Sequence, residues 1–217
     1  MIKVELAEKV NIDTNEVLRY LGYGKNKADE GILTLIERCK TEMLENCSLK
    51  ACYDIFDLSL DDDMLKFGNI ETESKSLKKN LKDCKKVVVF VATIGISTDR
   101  VIRKYSMTSP ANAVIAQAVG TAMIEEWCDV LCDRLKVNGF LRPRFSPGYG
   151  DFSIEYQKKI FTLLDCPRKI GVSLTDSLMM IPSKSVSGII GISEVDSNCH
   201  KNGCEECGRT ECIYRRV

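Results

Sequence analysis

Val87-Val88-Val89-Phe90-Val91-Ala92 is an unbroken apolar run, mostly β-branched, that stops shortly before Gly95. A strand with one solvated face alternates apolar and polar residues; this run does not, so it predicts a strand covered on both faces. A layer must then lie on each side of a sheet, and the flanking sequence supplies candidates. Directly downstream, Ser97 or Thr98 can cap a helix reaching about Met107. Ser109-Pro110 then offers a capping hydroxyl followed by proline at the first helical position. The helix opened there, to about Leu135, is dense with small residues such as Ala116, Ala118, Gly120 and Ala122 that let other backbone approach closely. It is predicted to be the central helix.

Further from the run the signals are shorter. Upstream, Ser74 to Asp83 reads as a charged helix, and Cys52 to Leu60 as a strand rich in β-favouring residues that ends at the acidic triplet Asp61-Asp62-Asp63, read as a solvated turn. Ile32, Leu33, Ile36, Met43 and Leu44 recur at three- and four-residue steps, which predicts a helix from about Asp29 to Cys47. Asp13 or Thr14 can cap a shorter one that ends at Gly22. Downstream, Arg142 to Asp151 is a loop rich in proline and glycine. A helix from Ser153 to Leu164 stops before Cys166-Pro167. Strands follow at Ile170 to Leu174, Ser177 to Ile181 and Val186 to Ser193, the last two joined as a hairpin across Pro182 to Ser185. Hairpins favour antiparallel pairing. The pattern predicts an α+β fold: a single domain with a largely antiparallel sheet and flanking helices over residues 1–195, helical in its N-terminal segment (residues 1–48), followed by a cysteine-rich tail over 196–217.

Composition excludes several classes. Thirty-one basic residues balance 31 acidic ones in 217, interspersed along the chain, so no global field gathers nucleic acid. No apolar run approaches the roughly 18–20 residues of a membrane span, and the N-terminus has no signal-peptide core, which points to the cytoplasm. No G-x-G-x-x-G follows the Val87 to Ala92 strand, so a Rossmann-type cofactor site is not indicated. Of 11 cysteines, Cys39, Cys47, Cys52, Cys84, Cys128, Cys132 and Cys166 are scattered through apolar segments and read as reduced, mostly buried thiols. Cys199, Cys204, Cys207 and Cys212 instead give C-x4-C-x2-C-x4-C beside Gly203 and Gly208. Four thiolates that close in sequence can wrap one metal centre, zinc or an iron–sulfur cluster; unpaired exposed cysteines are the alternative.

The loop Arg144-Phe145-Ser146-Pro147-Gly148-Tyr149 has a composition suited to a small zwitterion. Arginine offers a planar fork for a carboxylate, Gly148 lets backbone amides come close to a ligand, and Tyr149 adds a flat face and a hydroxyl. A rigid surface turn is the alternative. With this loop the chain from Gly139 to about Ser193 resembles the activation domain of cobalamin-dependent methionine synthase, whose S-adenosylmethionine loop reads Arg-Pro-Ala-Pro-Gly-Tyr and aligns without a gap. Leu174-Thr175-Asp176-Ser177 and Ser185-Val186-Ser187-Gly188 are similar to two strand motifs of that family. The family's glutamate-bearing helix falls on the central helix, with Glu125 in the matching place. Gly150-Asp151-Phe152-Ser153 follows the loop where the family has a proline and an acid-histidine run, and Ile190 stands where it has a tyrosine.

The resemblance implies a curved arrangement of the sheet and a site for S-adenosylmethionine made by Glu125, Arg144, Ser146, Gly148 and Tyr149. Arg144 would take the methionyl carboxylate and Glu125 the ammonium or another polar group, with no residue of this chain in a catalytic role. It also implies assistance in the reductive remethylation of cob(II)alamin. The family's corrinoid domains ligate cobalt through histidine, and His200 is the sole histidine here. The cobalamin would therefore be held by a partner, a corrinoid-bearing methyltransferase acting in trans on a stand-alone activation protein, with a flavodoxin- or ferredoxin-like reductant. A non-enzymatic metal-stabilised interaction protein and an independent enzyme using S-adenosylmethionine are the competing readings.

Overall fold

The β-branched run around Phe90 lies at the middle of a five-stranded antiparallel sheet in the computed structural model, which describes residues 1–24 and 26–195. Along the chain the elements are β1 (Lys3–Ala7), α1 (Thr14–Tyr20), α2 (Glu30–Asn46), β2 (Leu49–Asp57), β3 (Ser59–Asp61), β4 (Met64–Phe67), β5 (Ile70–Thr72), α3 (Lys75–Asn80) and β6 (Cys84–Thr93). They continue with α4 (Ile96–Thr108), α5 (Pro110–Leu135), β7 (Phe140–Leu141), α6 (Tyr156–Leu163), α7 (Cys166–Ile170), β8 (Ser173–Leu174), β9 (Met180–Ile181) and β10 (Ser185–Ser193). The main sheet is curved and runs β1-β2-β6-β10-β7. Small sheets of β3-β4-β5 and β8-β9 accompany it.

Every residue of β6 from Val87 to Thr93 is buried, and its two faces feed two separate cores. Val88, Phe90 and Ala92 join Trp127, Met123 and Leu131 of α5 and the buried faces of α1, α2 and α4. Val87, Val89 and Val91 join Leu65, Phe67, Leu77, Phe152, Ile160 and Phe161 on the opposite side. Full burial of a side chain of this kind contributes about 1.5–3 kcal/mol, so a polar residue anywhere from Val87 to Ala92 would open one core or the other. The first core is tied to the sheet by Trp127, whose indole Nε1 donates to the Lys50 carbonyl at 3.0 Å. Small residues of α5 make that approach possible; at Gly120 an added Cβ would meet the Lys184 side chain at 3.1 Å.

Of the two caps offered for α1 Asp13 serves, and Ser109 caps α5 as expected; Asp29 and Ser74 cap α2 and α3 in the same way, each side chain accepting from a backbone amide of its helix. The cap of α4 differs. Gly95 occupies it rather than Ser97 or Thr98, at φ +91, and a Cβ there would sit 2.9 Å from that of Ser48. Close passage of the chain past Ser48 selects glycine, and Thr98 turns back to donate to the Gly95 carbonyl at 2.6 Å.

Other expectations are corrected. The strand read as Cys52 to Leu60 begins earlier, at Leu49, and breaks at Leu58 before β3. Pro167 opens the short helix α7 instead of introducing a strand, because proline costs nothing in a first turn; the strand expected over Ile170 to Leu174 shrinks to two residues. The hairpin between Ser177–Ile181 and Val186–Ser193 does not form. β9 pairs with β8, while β10 pairs with β6 and β7. The N-terminal stretch is more than helical, since β1 completes one edge of the main sheet against β2. No helix among the described residues is long and apolar enough to cross a membrane.

Candidate functional site

Pairing along β10 is unequal on its two edges. The inner edge follows β6 from Ser185 to Ser193. On the outer edge β7 covers only Ile192 and Ser193, the Arg142 amide donates once more to the Gly191 carbonyl at 2.8 Å, and the chain then touches the strand by an isolated bridge, Phe145 with Ile189. Phe145 and Ile189 exchange both backbone hydrogen bonds, at 2.9 and 2.8 Å, which fixes the start of the Arg144 to Tyr149 loop against the strand. Beyond that bridge, at Ser187 and Ser185, the outer edge opens into a cleft.

The loop is held from several sides. Gly148, at φ +95, donates its amide to the Phe152 carbonyl at 2.7 Å, and the Tyr149 amide donates to the Ser146 carbonyl at 3.1 Å. Phe145, Phe152 and Tyr156 form a ladder of rings with centroids 6.3 and 4.7 Å apart. Asp151 reaches over to α3, accepting from the Ser74 hydroxyl at 2.5 Å and from the amides of Lys75 and Ser76 at 2.8 and 3.0 Å. The Ser74 hydroxyl, then the Ser76 and Lys75 amides, stabilise its charged form and hold the carboxyl well below the usual carboxylate range. Asn80 donates to the Pro143 carbonyl at 3.2 Å from the same helix.

Arg144 turns inward to α5 rather than out to solvent, with its side chain 20% exposed. Nη2 donates to Glu125 Oε2 at 2.8 Å and Nη1 to Asp129 Oδ1 at 2.6 Å, while Cys132 Sγ lies 3.9 Å from Nη1. Residues 125, 129 and 132 follow helical spacing, so one stripe of α5 presents two carboxylates and a thiol to one guanidinium. Burial works against the charge of Arg144, but the charged groups it faces, the Asp129 and Glu125 carboxylates among them, outweigh it and hold its pKa above the ordinary arginine value. Cys128 and Cys132 are themselves pushed up by burial, so both are neutral thiols at neutral pH. Half-exposed ion pairs such as these contribute about 0–1 kcal/mol each. A ligand carboxylate offering charge-assisted hydrogen bonds of about 1.5–3 kcal/mol can displace them.

The cleft is about 390 Å³ and lies between the loop, α5, α6 and the open part of β10. Of the five residues predicted to bind a ligand, Glu125, Arg144, Ser146 and Tyr149 line it, and Gly148 shapes the turn between two of them without lining it. Pro147, Met180 and Val186 add apolar surface. Glu125 is therefore brought to Arg144, but the two are bonded to each other and not held apart as separate charges. Asp129 was visible in the sequence only as one acid of several on the helix; its place four residues after Glu125 is the signal that puts it on the same face.

Gln157 and Ser187 also line the cleft, and neither stood out as a ligand contact in the sequence. Gln157 shares the buried face of α6 with Ile160 and Phe161, so a polar residue at an apolar position was the available signal. Cys199, Cys204, Cys207 and Cys212 lie outside the described residues. Among the described residues no group of three or more His, Cys, Asp or Glu side chains is arranged to hold a metal ion. Of the seven scattered cysteines, Cys39, Cys52, Cys128 and Cys166 are buried.

The family described as the vitamin B12 dependent methionine synthase activation domain matches the chain over residues 75–204, more than half of its length. That span contains α5, the Arg144 loop and β10. Among solved structures, a crystal structure of the MetH reactivation domain bound to AdoHcy superposes with a TM-score of 0.62 at 15% identity, covering 91% of this chain and 80% of that one. At such identity the likeness establishes the shared fold. No curated protein matches the chain.

Proposed function

Since the chain belongs to the family of vitamin B12 dependent methionine synthase activation domains, we propose that it binds S-adenosylmethionine in the cleft beside β10 and serves the reductive remethylation of cob(II)alamin on a partner methyltransferase. The observation that carries this reading is the placement of Arg144 and Glu125 across one cleft whose remaining walls are the Ser146 to Tyr149 turn and the open edge of the sheet. The solved relative carries AdoHcy, the demethylated form of the same ligand, on the same fold.

Residue chemistry suits each part of that ligand. A zwitterionic amino-acid end can insert between Arg144 and Glu125, its carboxylate replacing Glu125 on the guanidinium and its ammonium taking the released Glu125 carboxylate. One salt bridge is then exchanged for two, which keeps every charge paired during binding. The bound sulfonium supplies the methyl group, and the corrinoid that receives it belongs to the partner. This chain positions its ligand and leaves one side of it open; Tyr149, 60% exposed, stands at the rim. Membership of the activation-domain family supports a cobalamin-binding partner, and its reductant is taken to be a flavodoxin- or ferredoxin-like donor. The C-terminal cysteine spacing supports a metal centre in the tail, and analysis of the purified protein for zinc, iron and acid-labile sulfide distinguishes its kinds.

Calorimetric titration with S-adenosylmethionine and S-adenosylhomocysteine tests the reading. Saturable, one-to-one binding of both is expected; absence of binding by either removes the proposed function.

A further inference from the structure

Away from the cleft, two thiols meet inside the second core. Cys52, on β2, and Cys166, the first residue of α7, are both 0% exposed, and the Cys52 thiol donates to Cys166 Sγ across 3.8 Å. No step of the proposed methyl transfer uses either one. A buried free cysteine by itself packs as a small apolar side chain and calls for no further account. Two in sulfur contact, brought together from positions 114 residues apart, are instead the two halves of a possible bond.

The two elements differ in how firmly they are held. β2 is fixed on both edges, and Cys52 stands opposite Val4 of β1 on one side and Val91 of β6 on the other. α7 has five residues, no side-chain cap, and a left-handed residue at each end, Asp165 at φ +48 and Gly171 at φ +72. Only Cys166 and Ile170 of it are buried, while Pro167, Arg168 and Lys169 are exposed. A short helix seated on a sheet by two side chains opens at lower free energy than the strands beneath it. Its opening uncovers both thiols. In the closed state the contact with Cys52, and then burial, push the Cys166 thiol up and keep it protonated, so reaction waits on that opening.

From this arrangement we propose that Cys52 and Cys166 are a thiol–disulfide site, at which a low-molecular-weight disulfide oxidises the pair and staples α7 to β2. In the opened state one cysteine, as its thiolate, attacks the small disulfide and releases the first small thiol. The second cysteine attacks the mixed disulfide, forms the Cys52–Cys166 bond and releases the second small thiol. The chain loses two protons and two electrons, and the oxidant takes up both as it is cleaved to two thiols. Because closure of α7 holds the sulfurs together, the second step is favoured over a lasting mixed disulfide. The bond closes a long loop and so withdraws freedom from the unfolded chain. It also anchors the segment that runs through buried Val172 to β8 and, by its pairing with β9, to Met180 on the cleft wall.

Glutathione disulfide, applied to the full chain in buffer and in urea below the unfolding transition, tests the site. Alkylation of the remaining thiols, digestion and mass spectrometry should recover a Cys52–Cys166 linked peptide, formed faster in urea, where α7 opens more often. The melting temperature should rise by several degrees on oxidation and return on addition of dithiothreitol. Cys52→Ala and Cys166→Ala should each abolish the rise, whereas Cys47→Ala, which removes a half-buried thiol bonded to the Leu44 carbonyl, should keep it. Mixed disulfides on other cysteines, with no Cys52–Cys166 peptide in either condition, overturn the proposal and leave the pair as packing. A linked peptide accompanied by a fall in melting temperature overturns it too, since the folded pair then does not fit the bond. Should an alanine variant fail to fold, the linked peptide and the reversible shift of the unmodified chain decide.

Discussion

The two edges of β10 carry the same residues to opposite ends. On the inner edge, nine consecutive residues are matched to β6, and the polar backbone is spent on the ladder. On the outer edge the partner strand stops after two residues, and a single bridge at Phe145 separates paired backbone from open backbone. Within the cleft the Ser185 hydroxyl is answered by the Thr93 hydroxyl and the Pro182 carbonyl, whereas the Ser187 hydroxyl and Gln157 Oε1 have no partner among the described residues. The site thus arises where the sheet ends early, and the loop that ends it also brings the arginine. Stability and recognition are divided between two sides of one strand.

Arg144 gives the largest expected effect and the clearest separation of the sides. Arg144→Met should weaken S-adenosylmethionine about tenfold or more, from the loss of charge-assisted hydrogen bonds. It should leave unfolding free energy within about 1 kcal/mol, because the pairs it breaks are partly exposed. Arg144→Lys should recover only part of the affinity, since an ammonium lacks the planar fork. Calorimetry and denaturant unfolding on the same samples measure both quantities; a large loss of stability with little loss of affinity would place Arg144 among the structural residues instead.

A smaller effect is expected at the bridge. Phe145→Pro removes the amide that donates to Ile189, and Phe145→Ala removes only the ring. The proline variant should be less stable than the alanine variant by about 0.5–1.5 kcal/mol, one backbone hydrogen bond. Urea unfolding of the two variants gives the difference. The related family carries proline at this place in its loop, so ligand affinity should differ less than about threefold between them; a collapse of affinity in the proline variant alone would mean that the bridge orders the cleft as well as the strand.

What the sequence made legible follows the same division. The Val87 to Ala92 run, the Ser109-Pro110 start of α5 and the apolar face of α2 were readable because local pattern and burial agree at those places. β1 escaped although Ile2, Val4 and Leu6 alternate with Lys3 and Glu5, because so few residues at the start of the chain make a short pattern. The false hairpin arose because Ser177–Ile181 and Val186–Ser193 are close in sequence and both β-favouring, while the partner of β10 is settled by β6, some ninety residues away. Proximity along the chain was the wrong guide. At the site, Arg144 and its turn were singled out by composition and resemblance, and Glu125 by the resemblance alone; the fold places them at one cleft. Gln157 and Ser187 were not, because their significance lies in what fails to meet them, and only the packed structure shows that.

Asp151 gives the smallest effect and probes how the loop is held against α3 rather than the ligand itself. Its carboxylate is exposed yet accepts from Ser74, Lys75 and Ser76, and those donors hold its pKa below the ordinary value. A depressed folded-state pKa means that the unfolded chain takes up the proton first as pH falls. The stabilisation is therefore complete above the unfolded carboxylate value of about 3.9 and is lost progressively as pH drops through and below it. Asp151→Ala should lower the melting temperature by a few degrees at pH 7, with the gap to the unmodified protein narrowing from about pH 4 downward. The side chain points to α3 and away from the cleft, so S-adenosylmethionine affinity should change less than about threefold, below 1 kcal/mol on the affinity scale. A gap independent of pH would show that the serine and amide contacts hold the loop without help from the charge, and an affinity loss as large as that of Arg144→Met would show that α3 also sets the geometry of the outer edge.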